Sequence, residues 1–95
     1  MKIYVTAIVK SKPEFREELK AILDNLVVET RKENASILYD LHQSIEDENT
    51  FVFYEIWENK EGLDQHNKQP HMQKFVDFID GKLQEAAQIY ITKIV

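Results

Sequence analysis

The chain has no cysteine and only two glycines among its 95 residues, and each shortage removes classes of function. Without cysteine there is no disulfide, no thiolate nucleophile and no cysteine-ligated metal. The two glycines, Gly62 and Gly81, are isolated, whereas a loop that cradles nucleotide phosphates needs several glycines close together. We therefore predict neither a thiol-based site nor a nucleotide-binding site.

Excess basic charge and long apolar runs are lacking as well. The formal net charge is −5, whereas a nucleic-acid surface needs clustered Lys and Arg. No run approaches the roughly 20 apolar residues that cross a bilayer. The start of the chain alternates in polarity and does not form the apolar core of a signal peptide. We expect one cytoplasmic domain, residues 1–95, that binds neither nucleic acid nor a membrane.

Hydrophobic periodicity predicts four strands and several helices. Alternation over residues 2–10 indicates a first strand, and apolar residues at intervals of three and four predict a helix from Pro13 to about Thr30. A short helix is predicted from the cap Asn59 to His66. A last helix begins at Pro70, and its apolar spacing continues through Leu83. The remaining strands are predicted over residues 37–43, 51–57 and 89–94.

This order is β-α-β-β-α-β, which predicts an α+β domain of ferredoxin-like topology with one four-stranded antiparallel sheet. The third strand is bulky on both faces: Phe51, Phe53, Glu55 and Trp57 alternate with Val52, Tyr54 and Ile56. Helices cover one face of such a sheet, and a second apolar face marks an interaction surface. We therefore predict a homodimer in which two sheets pack face to face.

Three segments together resemble a known family: Tyr39-Asp40-Leu41-His42, Phe51–Glu58, and His66-x4-His71-x3-Phe75. They are similar to the antibiotic biosynthesis monooxygenase domain, especially its quinol-monooxygenase-like members in the dimeric α/β-barrel superfamily. The resemblance implies a dimeric α/β barrel that oxidises phenolic or quinol-like substrates with molecular oxygen and without any cofactor. One departure is Ala35-Ser36, which stands where the family usually has Gly-Cys after a glutamate, here Glu33.

Glu55 and His66 are the candidate catalytic residues. Oxygenation without a cofactor needs a base that turns the substrate into an electron-rich anion, inside a dry pocket. A carboxylate placed like Glu55 on a covered strand has a raised pKa, which suits a base, or else forms a structural ion pair. The resemblance places His66 at the pocket, and its alternative role is hydrogen bonding at a helix end.

Five further residues are predicted to line the substrate pocket: Trp57, Tyr39, His71, Phe75 and Phe53. Each has a structural alternative, because aromatic residues at such positions usually form the core and His71 opens a helix. No metal site is predicted, since His66 and His71 lie five residues apart across a helix break and need not share a face.

Two further predictions concern His42 and the cleavage of haem. His42 is predicted to point outward or to lie at an interface. Haem-degrading relatives use an asparagine on the first strand and a tryptophan on the helix after the third. Here those positions hold Thr6 or Ala7 and His66, so haem cleavage is not expected.

The function that we predict is cofactor-independent monooxygenation of a quinol or another electron-rich aromatic. Two alternatives remain open. The same base would serve an isomerase that acts on a small oxygenated metabolite. A dimer that binds a small apolar ligand without catalysis would need only the pocket.

Overall fold

The computed structural model describes residues 1–95 and contains four strands and three helices. One turn of 3₁₀ helix, Pro13–Phe15, leads into the first α-helix. The strands are β1 Ile3–Lys10, β2 Ser36–Gln43, β3 Thr50–Trp57 and β4 Gln88–Thr92, and the helices are α1 Arg16–Thr30, α2 Lys60–His66 and α3 Pro70–Ile79.

The strands form one antiparallel sheet in the order β2-β3-β1-β4. The first and third strands lie in the centre, and β2 and β4 form the edges. Together with the helices, this arrangement confirms the α+β ferredoxin-like prediction. No helix is both long enough and apolar enough to cross a membrane.

The core lies between the sheet and the helices. The alternation on β1 places its odd-numbered residues in the core, where Val5 and Val9 are almost completely buried. The helix α1 contributes Leu19, Leu23 and Leu26, which are spaced by three and four residues and therefore share one face. Burial of each such side chain contributes on the order of 2 kcal/mol. This layer fixes the sheet against the helices.

The last helix is shorter than its apolar spacing predicts. It ends at Ile79, and Gly81 then adopts a positive φ of 74°, which reverses the chain. Leu83, expected on this helix, instead lies opposite Ser11 in an isolated bridge. The prediction was wrong there because an apolar residue beyond a turn can keep helical spacing by coincidence.

The outer face of the sheet is partly apolar and carries no covering element within the chain. Val52 and Ile56 on β3 are half-buried, Tyr54 is 40% exposed, and Tyr90 on the edge strand β4 is 53% exposed. His42, on the same face of β2, is exposed, as predicted.

Candidate active site

A row of four side chains crosses the inner face of the sheet. Tyr39 on β2 is paired with Glu55 on β3, Glu55 with Val5 on β1, and Val5 with Ile91 on β4. Directly paired side chains in adjacent strands lie close together on the same face. A single carboxylate is thereby held among apolar neighbours at the centre of the sheet.

A cavity of about 170 Å³ lies above this row, between the sheet and the helices α2 and α3. Twelve of its 15 lining residues are hydrophobic, including Phe53 and Phe75. The other three are Glu55, His66 and Asn67. An apolar cavity with a few polar groups is the usual form of a small-molecule site.

Glu55 is buried, with 5% of its surface exposed, and has no basic partner at ion-pair distance in the chain. Its Oε1 accepts a hydrogen bond of 2.8 Å from Trp57 Nε1. Burial raises the pKa of Glu55 from 4.5 to about 7, while the bond from Trp57 opposes the rise and the charge of Glu33 adds to it. The ion-pair alternative is therefore not formed within one chain, and the carboxylate titrates near neutral pH.

Close packing of α2 brings His66 to the cavity. The helix begins at Asn59, whose side chain accepts a hydrogen bond from the backbone of Gly62. A side chain at position 62 would overlap the Cβ of Ala35, so the glycine lets α2 approach the segment before β2. His66 follows one helical turn after Gly62 and therefore faces the same way.

The imidazole of His66 is held by aromatic neighbours. Its ring centroid lies 4.6 Å from that of Trp57 and 5.5 Å from that of Tyr39. Burial lowers the pKa of His66, although its hydrogen bond with Glu33 opposes the change. Burial also raises the pKa of Tyr39, and the charge of Glu55 adds to that rise. Both side chains are therefore held in their neutral forms at neutral pH.

Glu33, which the sequence did not identify as a site residue, joins the two histidines. Its Oε2 lies 2.8 Å from His66 Nδ1 and 2.8 Å from His71 Nε2. The residue follows α1 in the connection to β2, and its side chain is 13% exposed. The sequence held one signal that could have identified Glu33: it is the glutamate of the family pattern that precedes the second strand.

The same cluster contains the groups of this chain that could hold a metal ion. One carboxylate oxygen of Glu33 and one ring nitrogen each of His66 and His71 lie within 4.8 Å of one another. Two histidines and a carboxylate suit zinc or ferrous iron. In the structure these groups satisfy one another through direct hydrogen bonds.

The structure divides the seven predicted site residues between the cavity and its surroundings. Five line the cavity: Glu55, His66, Tyr39, Phe53 and Phe75. Trp57 does not, because its indole is completely buried between its bond to Glu55 and the His66 ring. His71 also lies outside, because its bond to Glu33 places it in a separate polar groove.

Comparison with known proteins agrees with this architecture. The sequence profile of the family described as Antibiotic biosynthesis monooxygenase matches residues 2–77. The chain belongs to this family. The matched range includes all of the cavity-lining aromatic residues and all members of the Glu33 cluster.

Individual curated proteins are similar to this chain over most of its length. The Bacillus subtilis protein named "Putative monooxygenase YcnE" is 39% identical over 74 residues, which are 78% of this chain and 78% of that protein. The uncharacterised protein sll1783 of Synechocystis is 33% identical over 97% of this chain, which spans only 63% of that relative's length.

A solved structure described as an antibiotic biosynthesis monooxygenase superposes with a TM-score of 0.93 at 28% identity, covering 98% of both chains. The likeness extends over the whole ferredoxin-like domain. The fold of the family is therefore shared by this chain from its first strand to its last.

Proposed function

We propose that this family member is a monooxygenase that oxidises a phenol or quinol with molecular oxygen, with Glu55 as the base. The observation that carries the proposal is the environment of this carboxylate. Glu55 is buried, its pKa is raised to about 7, and it faces an apolar cavity walled by Tyr39, Phe53 and Phe75. A base of this strength suits deprotonation of a phenolic hydroxyl at neutral pH.

The proposed reaction needs only the substrate and oxygen. Glu55 takes the hydroxyl proton, and the resulting anion transfers an electron to oxygen. The two radicals then combine to form a carbon-bound peroxide. Loss of the ring hydrogen as a proton and cleavage of the O–O bond leave a carbonyl on the substrate and release water. Glu55 returns its proton to the departing oxygen, so one phenol and one oxygen molecule give one quinone and one water.

The cavity favours a small aromatic substrate. An apolar cavity of about 150 Å³ accommodates benzene, and the cavity above Glu55 measures about 170 Å³. A phenol or quinol of one ring fits such a space with its hydroxyl directed to Glu55.

We also propose that the protein acts as a homodimer. The partly apolar outer face of the sheet supports this assembly. Val52, Ile56 and Tyr54 form an apolar strip along β3 that no element of the chain covers. Two such faces packed together would bury these side chains, which favours association. The proposed dimer is an α/β barrel made of two sheets.

Oxygen uptake tests this function. Metal-free protein is mixed with one-ring and two-ring quinols and phenols, and uptake is compared with the autoxidation rate of each compound. We expect uptake above that rate for at least one compound, with water and not hydrogen peroxide as the second product. Peroxide formed in equal amount to the quinone would contradict monooxygenation.

The isomerase alternative predicts a different result with the same base. Proton exchange from deuterated water into a small hydroxyketone, without oxygen uptake from any phenol, would support that alternative. A ligand-binding dimer would show neither activity.

A further inference from the structure

We propose that Glu33, His66 and His71 together bind a divalent transition-metal ion, for which zinc is the probe. The inference goes beyond the proposed oxygenation, which uses none of these three side chains as its base. Each ligand comes from a different segment of the chain. Glu33 lies in the connection between α1 and β2, His66 ends α2, and His71 lies in the first turn of α3.

The break between α2 and α3 brings the two imidazoles together. In the sequence, this break argued against a shared metal ion, because His66 and His71 need not share a face. In the folded chain their ring centroids lie 6.0 Å apart. His66 Nδ1 and His71 Nε2 each lie 2.8 Å from the same atom, Glu33 Oε2. The two nitrogens therefore converge on one carboxylate from two helices.

The spacing of the three ligand atoms is close to that around a bound ion. Zinc lies about 2.0–2.2 Å from histidine nitrogens and carboxylate oxygens, which puts neighbouring ligand atoms roughly 2.9–3.4 Å apart. Here two of the three separations are 2.8 Å, and all three atoms lie within 4.8 Å of one another. Side-chain shifts on the order of 1 Å would place the three atoms around one ion.

The chemistry of the ligands selects the class of metal. Two imidazoles and one carboxylate suit zinc or ferrous iron, whereas magnesium and calcium prefer oxygen ligands alone. A carboxylate accepts hydrogen bonds, so in the metal-free chain each ring nitrogen that faces Glu33 donates its N–H. When the ion binds, each of these protons is exchanged for one on the other nitrogen of the same ring. The lone pair then points to the metal, and the ring stays neutral.

An ion can reach these residues from the solvent. Glu33 and His71 line a groove of about 740 Å³ in which one of 11 lining residues is hydrophobic. The other carboxylate of this groove, Glu29, is paired with Lys32 at 3.3 Å, whereas Glu33 has only the two histidines as partners. Three protein ligands leave at least one coordination position open, and water from the groove can fill it.

A bound ion would join the helices that form one wall of the cavity. Leu63 of α2 and Met72 of α3 both line the space above Glu55, and each lies close in sequence to one of the histidine ligands. A metal held by both histidines and Glu33 therefore ties α2 and α3 to the connection before β2. Because the unfolded chain does not hold these ligands together, binding should stabilise the folded state.

Titration calorimetry with zinc chloride, on protein stripped of metal, tests the site. We expect one ion per chain, and we expect Glu33→Gln and His71→Phe each to weaken binding at least about 100-fold. Two matched controls should leave the dissociation constant nearly unchanged. Glu29→Gln removes a charge from the same groove but no ligand, and His42→Phe removes the histidine that lies elsewhere, at an exposed site.

Nitrogen-15 NMR of the unmodified protein decides the matter even if the variants do not fold. We expect zinc to shift the resonances of His66 Nδ1 and His71 Nε2 and to leave those of His42 in place. Saturating zinc should also raise Tm by at least about 5 °C, while magnesium should have neither effect.

Two results would overturn the metal site: zinc that shifts neither ring of the pair, or a zinc dissociation constant that is unchanged in folded His71→Phe. None of these measurements depends on turnover. A failure to find oxygen uptake would therefore count against the proposed function alone, and a failure to bind zinc would count against the metal site alone.

Discussion

Trp57 and Glu55 lie two residues apart on β3, and the indole Nε1 donates a hydrogen bond of 2.8 Å to Glu55 Oε1. Residues at this spacing point to the same face of a strand, so both side chains are directed toward the helices. The bond favours the ionised carboxylate, whereas burial favours the neutral one, and burial is the larger effect. The balance leaves a carboxylate that is neither a permanent anion nor a permanent acid at neutral pH.

Replacing Trp57 by Phe removes this donor while keeping an aromatic ring. We expect the pKa of Glu55 to rise by roughly one to two units, because a hydrogen bond to a charged group contributes about 1.5–3 kcal/mol. Carbon-13 NMR of the glutamate carboxyl carbons measures the shift directly. The pH at which kcat/KM reaches half its maximum should move upward by the same amount. An unchanged or lower pKa would show that the indole does not hold the ionised form.

Replacing Glu55 by Gln should change how stability depends on pH. The pKa of Glu55 is higher in the folded state, about 7, than its ordinary 4.5, so the folded state binds the proton more tightly. The stabilisation that the folded state gains from this proton on Glu55 is fully present below about pH 4.5 and is lost as the pH rises through about 7. We therefore compare the free energy of unfolding of the Gln variant with that of the unmodified protein. The variant's value minus the unmodified protein's value should increase by on the order of 3 kcal/mol between about pH 4.5 and about pH 8.

Urea unfolding at about pH 4.5 and about pH 8 measures this difference. Glu58→Gln is the control, because Glu58 lies just beyond the same strand and is exposed. Equal pH dependence in all three proteins would contradict the raised pKa of Glu55.

Much of the fold could be predicted from local patterns. Alternation on β1 and the spacing of Leu19, Leu23 and Leu26 identify the buried faces, because burial repeats with the period of each element. The end of α3 could not be predicted in this way, since Leu83 continues the spacing after the turn at Gly81.

The site was predictable only in part. Glu55 and His66 could be proposed because a lone carboxylate on an apolar strand and a histidine in a family pattern are both visible in the sequence. Glu33 was missed because its role depends on contacts with residues 33 and 38 positions away. Those contacts arise from the packing of α2 against Ala35, which no local pattern reveals.

Met72 lies in the cavity wall, and its replacement by Ala should widen the range of substrates. We expect kcat/KM for a two-ring phenol to rise about tenfold relative to a one-ring phenol, since one methylene group is worth 10–200-fold in such pockets. The loss of packing should cost about 2 kcal/mol. Val76→Ala is the control, because Val76 is on the same helix but exposed. If the ratio of the kcat/KM values for the two phenols is unchanged, the substrate does not bind beside Met72.

A charge on the outer sheet face should prevent assembly. Val52→Lys places an ammonium group in the centre of the proposed interface, where burial of an unpaired charge costs several kcal/mol. We expect the dimer dissociation constant to rise at least about 100-fold. Light scattering coupled to size exclusion measures the mass. Val28→Lys, on the exposed side of α1, should leave it unchanged. A Val52→Lys protein that remains dimeric would contradict face-to-face packing.

Oxygen uptake by a Glu55→Gln variant shows whether Glu55 is the base of an oxygen-consuming reaction. Gln keeps an acceptor for Trp57 but cannot take a proton, so the fold should be retained. With the best phenol or quinol found for the unmodified protein, we expect uptake by Glu55→Gln to fall by at least about 100-fold, while Glu58→Gln remains fully active. Equal uptake by a folded Glu55→Gln protein and the unmodified protein would show that Glu55 is not the base.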